Sequence, residues 1–117
     1  MRIEEREAFI TADGSEIREL AGIPSGNARN QSLAQATVPA GGETVEHYHR
    51  MTEEIYYFTG GSGRMRLGED EFDVRDGDCV VIAPGERHKL WAGDDGLVLL
   101  CCCAPAYSHE DTVLLAG

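Results

Sequence analysis

Apolar and polar positions alternate along this chain in short runs, the period-two pattern of half-buried strands. Residues 31–38 form one such run, closed by Pro39-Ala-Gly-Gly42. Residues 44–49 form a second, with Thr44, Val45 and Tyr48 suited to a pleated surface. A third, 54–59, is rich in aromatic and β-branched residues and is broken by Gly60-Gly-Ser-Gly63. Residues 64–67 and 71–74 predict a hairpin across Gly68-Glu-Asp70. The apolar run 79–82 predicts a buried strand. Another strand starts at His88 and runs through Trp91, and a Gly93-Asp-Asp-Gly96 turn leads into the last, 97–103. Helical periodicity is confined to residues 14–20, at most two turns, with Ser15 placed to cap them. Residues 21–27 read as a loop, and 105–117 as a tail carrying Val113-Leu-Leu115.

About seven short strands with turn signals between them predict an all-β sandwich or barrel. Closure also removes the unpaired edges that separate strands would expose. At 117 residues the chain is the size of one domain. The expected barrel core spans about 29–104, with a helical or irregular amino-terminal segment 1–28 and the tail 105–117. A net charge of −11 disfavours phosphate backbones and anionic bilayers, so neither nucleic acid nor membrane is an expected partner. The amino end has no apolar stretch after a basic region, and a cytoplasmic location is the working expectation. Three of the four cysteines are consecutive, Cys101-Cys-Cys103, and no C-x-x-C pair occurs. They read as small buried hydrophobes in a reducing compartment, with Cys101 and Cys103 on one face and Cys102 on the other.

Candidate chemistry concentrates at His47-Tyr48-His49. On a strand these imidazoles share a face, with Cα atoms roughly 6.6–7 Å apart. Both can therefore reach one ion at metal–nitrogen distances of about 2.0–2.1 Å. Glu54 opens the next strand, where its carboxylate can return to the same point, and His88 can close the set. Three neutral imidazoles and a carboxylate suit one divalent transition metal per chain: Fe, Mn, Ni, Cu or Zn. In an octahedral ion they leave two positions for a substrate.

These residues stand in a spacing that resembles the cupin family. Gly41 is followed by five residues, His47-Tyr48-His49, four residues, Glu54, six residues and Gly61. Gly77 is followed by five residues, Ala83-Pro84-Gly85, two residues, His88, three residues and Ala92. Ala83 stands where the family motif has proline, and Ala92 where it has asparagine; both departures touch turns and not ligands. The resemblance implies a double-stranded β-helix, a jelly-roll-like barrel, with one mononuclear metal on His47, His49, Glu54 and His88. Glu53 also satisfies a permitted spacing, but the glycine placement favours Glu54, with Glu53 solvated. Small single-domain cupins are similar to dioxygenases, sugar-phosphate isomerase-like proteins and polyketide cyclases. The expected function is therefore a metal-dependent small-molecule enzyme, either a dioxygenase or an isomerase or cyclase working by Lewis-acid enolisation of an oxygen-rich substrate. A non-catalytic metal- or small-ligand-binding barrel is the alternative.

Parity places further side chains. If Glu54 points inward, so do Tyr56 and Phe58, and Tyr56 becomes the candidate catalytic residue outside the ligand set, a phenolic donor to a substrate oxygen. Either Gln31, Leu33, Gln35 and Thr37 face inward, or Ser32, Ala34 and Ala36 do. Met65 and Leu67 are expected inward and Arg64 and Arg66 outward; His109 is expected on the surface. The cations available to grip a phosphate, Arg29, Arg64, Arg66 and Lys89, are not placed for it, which favours a neutral or weakly acidic substrate. The apolar tail predicts a homodimer in which strands or terminal segments pair across a two-fold axis. The alternative is a monomer with the tail folded onto its own sheet.

Overall fold

A computed structural model describes residues 1–115. It is built almost wholly of strands: β1 (Phe9–Ile10), β2 (Glu16–Ala21), β3 (Ser32–Val38), β4 (His47–His49), β5 (Glu53–Leu67), β6 (Asp70–Arg75), β7 (Cys79–Ile82), β8 (His88–Ala104) and β9 (Thr112–Leu114). Single 3₁₀ turns occupy Ile3–Glu5 and His109–Asp111.

Two long strands organise the barrel. The first half of β5 pairs with the second half of β8 (Glu54↔Cys103, Phe58↔Leu99), and its second half with the start of β8 (Met65↔Leu90, Leu67↔His88). β3 flanks β8 on the other side, and β2 and β1 extend the sheet. The glycines expected to interrupt 54–67 do not end the strand. They bend it, with register shifts at Phe58/Gly60 and Gly61/Gly63, and the strand stays paired with β8 on both sides of the bend. Gly61 has φ +78°, and a Cβ there would run into the backbone of Gly96, so only glycine fits the bend. The turn expected at 93–96 is likewise a bend within β8, where Gly96 has φ +73°.

The core is the inward row of each strand. Phe58, Met65, Leu97 and Leu99 are wholly buried, joined by Val38, Tyr56, Val74, Ile82 and Leu90. Burying each large apolar side chain contributes about 1.5–3 kcal/mol. The alternation expected for β5 holds: Glu54, Tyr56 and Phe58 face inward, Glu53, Ile55 and Tyr57 outward. Met65 is inward as expected, and Leu67 packs partly buried against the core. In β3 the inward row is Ser32, Ala34, Ala36 and Val38; Gln31, Leu33, Gln35 and Thr37 take the other register. Small inward residues leave space inside the barrel, which a row led by glutamines would have filled.

Three further expectations change. Residues 14–20 are not a helix: Glu16–Ala21 is a strand, paired to β1 and to β3. Pairing across the sheet, with Ile17 opposite Ala36, outweighs a weak local helical preference. Ser15 caps nothing; it lies buried in the turn between β1 and β2. The 79–82 run is mostly exposed, with only Ile82 buried, because β7 pairs with β5 alone and forms a sheet edge. Cys79 and Cys102 are exposed and only Cys103 is fully buried; all four cysteines are free thiols. The tail folds back on its own chain, β9 pairing with β4.

Candidate metal centre

Strand pairing assembles the site. His47 and His49 project from one face of β4, and His47 stands directly opposite His88 of β8. The ring centroids of His47 and His88 are 4.3 Å apart, and His49 lies 5.2 and 5.6 Å from them. One ligand atom from each of these imidazoles lies within 4.8 Å of the others. Glu54, inward on β5, closes one side: its Oε1 is 3.1 Å from His49 Nε2 and 3.5 Å from His88 Nε2. All four side chains are buried. Glu53 is exposed on the opposite face.

The outer nitrogens fix the inner ones. His47 Nδ1 lies 2.9 Å from the Val45 carbonyl oxygen, and His88 Nδ1 3.0 Å from that of Glu86. A carbonyl only accepts, so each Nδ1 carries the proton. His49 Nδ1 lies 3.0 Å from Thr112 Oγ1, and that hydroxyl already donates to the Ser108 carbonyl at 3.1 Å. Thr112 therefore accepts from His49 as well. Three Nε2 lone pairs are thus turned inward, the tautomer a metal requires. His88 Nε2 is buried without a hydrogen-bond partner. A bare lone pair and a carboxylate oxygen facing one another are two acceptors with no donor between them. A divalent cation satisfies all of them, and the donor set fits one.

Electrostatics agree. Burial, reinforced by the neighbouring His88, holds His47 below its ordinary range, which keeps the ring neutral. Burial opposes the charge on Glu54; in the ion-free site His49 and His88 outweigh it only when a proton on Nε2 stands where the ion would, and they then hold the carboxyl well below the usual carboxylate range. Cys103 donates its thiol hydrogen to Glu54 Oε2 at 3.3 Å. Burial first, then the Glu54 charge, pushes the Cys103 thiol far up, so it stays protonated as that donor.

The site opens into a cavity of about 70 Å³. One wall is apolar, formed by Phe9, Ile17, Ala34, Ala36, Val38 and Leu99. Tyr56 lies in the lining, its ring edge-on to His88 with centroids 5.7 Å apart. Burial, with the Glu54 charge adding to it, pushes its phenol well above the ordinary range, so it remains a donor. The basic residues are elsewhere. Arg64 pairs with Asp73, Arg66 with Glu71 and Glu46, and Lys89 with Glu43; Arg29 is exposed. Arg66 and Lys89 also flank the Trp91 ring. His109 is on the surface.

Four contributors escaped the sequence reading. Asp13, Tyr107 and Thr112 line the cavity from segments outside the expected barrel core, and Cys103 supports Glu54. The signal for Asp13 was Asp13-Gly14, a hairpin-turn dipeptide between two short runs. No local signal marks Thr112. Both motif departures have a structural account. Ala83 keeps an N–H, absent in proline, that donates to Glu86 Oε1 at 3.1 Å and closes the turn before His88. Ala92 donates its N–H to the Gly42 carbonyl and packs against the core.

Fold and site together define a small β-barrel whose interior presents a three-histidine centre of the kind that takes a divalent metal. The cupin-domain family profile matches residues 34–103, and the chain belongs to the cupin family, with its double-stranded β-helix fold. The uncharacterized protein MJ1618 of Methanocaldococcus jannaschii is 46% identical over 108 residues, 92% of this chain and 86% of that protein. A variant of Streptomyces Pac13 with uridine superposes at TM-score 0.80 and 17% identity, covering 98% of this chain and 88% of the other. Oxalate decarboxylase from Bacillus subtilis superposes at TM-score 0.82 and 20% identity, covering 98% of this chain but 31% of the enzyme. At these identities the two solved structures share the fold with this chain, and no reaction follows from them. Among the described residues no helix is long and apolar enough to cross a membrane.

Proposed function

We propose that this protein is a metal-dependent enzyme acting on a small, uncharged or weakly acidic, oxygen-rich substrate, with one divalent ion held by His47, His49, His88 and Glu54. The observation that carries the reading is the hydrogen-bond arrangement around the histidines. Each Nδ1 is committed to an acceptor, so three Nε2 lone pairs and one carboxylate meet inside an apolar-walled cavity. A bound ion supplies Lewis-acid polarisation of a substrate oxygen or, if it is iron, dioxygen chemistry. The chain's own groups do the rest. The apolar wall excludes water from one side of the substrate, and Tyr56 offers a hydroxyl proton. The cationic side chains are spent on the outer surface, which weighs against a phosphorylated substrate. The cavity suits a ligand of a few heavy atoms and is well below the roughly 300–1,000 Å³ of drug-sized sites.

Elemental analysis of the purified protein tests the ion, with one equivalent per chain as the expected result. Oxygen uptake with diketones, catechols and hydroxyketones then separates the chemistries. Iron with oxygen consumption identifies a dioxygenase. Deuterium exchange at the carbon next to a carbonyl, without oxygen uptake, identifies the isomerase or cyclase class. Metal with neither activity leaves a binding barrel. We also propose a homodimer and a cytoplasmic setting. The dimer reading is supported by the exposed apolar residues Ile55, Tyr57 and Val81 on the outer sheet face, and light scattering tests it.

A further inference from the structure

The histidines meet a second carboxylate besides Glu54. Asp13 belongs to neither family motif and comes from the turn between β1 and β2. Its Oδ2 faces His47 Nε2 at 3.8 Å, and its side chain is 15% exposed. The turn that presents it is fully specified. Asp13 Oδ1 accepts from Thr11 Oγ1 at 2.6 Å, from the Ser15 N–H at 2.9 Å and from Ser15 Oγ at 2.7 Å. The Asp13 carbonyl accepts from the Val45 N–H at 2.8 Å, and Val45 in turn holds His47 Nδ1. Gly14, at φ +92°, completes the turn. One carboxylate oxygen therefore carries three hydrogen bonds. The other accepts none among the described residues and borders the cavity. Thr11 and Ser15 would hold Asp13 in place equally well if the cavity needed no acceptor there, but an asparagine or serine would serve a purely structural turn. A carboxylate with one oxygen free is suited to accept a proton-bearing group.

We propose that Asp13 is a substrate-positioning residue that accepts a hydrogen bond from a hydroxyl next to the substrate's carbonyl, so that the site takes α-hydroxycarbonyl compounds in preference to diketones. This rests on the metal-dependent reading above and narrows its substrate class. The lining is consistent with this: Asp13 stands beside His47, and Phe9, Ile17 and Ala36 offer apolar surface for a short carbon skeleton. A diketone offers no proton to Asp13 and sets its oxygen against the carboxylate charge. An α-hydroxyketone of the same size donates to it.

The test uses a matched pair, 3-hydroxybutan-2-one and butane-2,3-dione, titrated calorimetrically into the metal-loaded protein. Asp13→Asn keeps an oxygen for Thr11 and Ser15 but places an NH₂ donor where Oδ2 was. It should weaken hydroxyketone binding by about tenfold or more, the loss of a hydrogen bond to a charged acceptor. It should leave metal stoichiometry intact and should not weaken diketone binding. Asp13→Ala, which adds no donor, should show the same selective loss. Equal weakening of both ligands, or unchanged hydroxyketone binding in both variants, overturns the inference. So does a wild-type protein that binds the diketone but not the hydroxyketone. Loss of the ion in Asp13→Asn also overturns it, because Asp13 would then be a ligand. Failure of the wild-type chain to bind any divalent ion refutes the metal reading instead, and is seen in the metal titration alone.

Discussion

Removing the Thr112 hydroxyl should weaken metal binding without touching a ligand. Thr112 sits on β9, opposite His49 on β4, and its Oγ1 is 3.0 Å from His49 Nδ1. The hydroxyl hydrogen is spent on the Ser108 carbonyl, so the oxygen presents a lone pair and forces the His49 proton onto Nδ1. Thr112→Val keeps the β-branched shape that suits the strand and deletes only this acceptor. Two consequences follow. The buried His49 N–H loses its partner, a loss of about 1–3 kcal/mol. The tautomer with the proton on Nε2, which cannot offer that nitrogen to the ion, is no longer disfavoured. Partners that orient a metal-binding histidine typically contribute about ten- to hundredfold in affinity, or about 1.4–2.8 kcal/mol. Both estimates agree in size, so a drop of at least tenfold is expected for Thr112→Val. It is measured by competition against a chromophoric chelator, with Zn(II) or Ni(II) as probe. Thr112→Ser should restore most of the affinity, since the hydroxyl and not the methyl is at work. Affinity in Thr112→Val within about twofold of wild type would refute the tautomer argument, since even the low end of that effect exceeds it.

Tyr56→Phe should keep the metal in full and weaken ligand binding or turnover by about three- to tenfold, the contribution of one neutral hydrogen bond; metal loss would mean that the phenol supports the centre directly. Gly61→Ala should lower stability by about 2–4 kcal/mol, since it combines a left-handed backbone with a collision at Gly96; a urea midpoint equal to wild type would contradict the bend assigned there. In the chelator-treated protein, stability should fall as pH drops below about 6.5, because His47 binds its proton less readily folded than unfolded and the unfolded chain then holds the excess. Glu54, whose folded carboxyl is also depressed, extends the loss into the carboxylate range, and urea midpoints at pH 8, 6 and 4.5 should decline in that order.

Local pattern was enough to mark most strands between residues 31 and 103, and the motif spacing picked out the four side chains that the fold brings together. His47 and His49 share a face because any strand alternates, and Glu54, Tyr56 and Phe58 are inward by the same parity. The spacing of both motifs carried the family and the fold. What pattern could not decide was how strands lie beside one another. The Glu16–Ala21 segment has no strong preference of its own and became a strand through its partners. The glycines of 60–63 look like a break in one dimension and act as a bend in three, because Gly61 and Gly96 must pass close together. The choice between the two faces of β3 depended on the space enclosed. Asp13 and Thr112 reach the centre from the two ends of the chain, through pairings of β1 with β2 and of β9 with β4 that leave no trace in local periodicity. Sequence thus sets which side chains alternate together, since that is a property of one strand's geometry. Which distant segments close over them is set by the barrel as a whole, because loop closure and cross-strand pairing are properties of the assembled sheet.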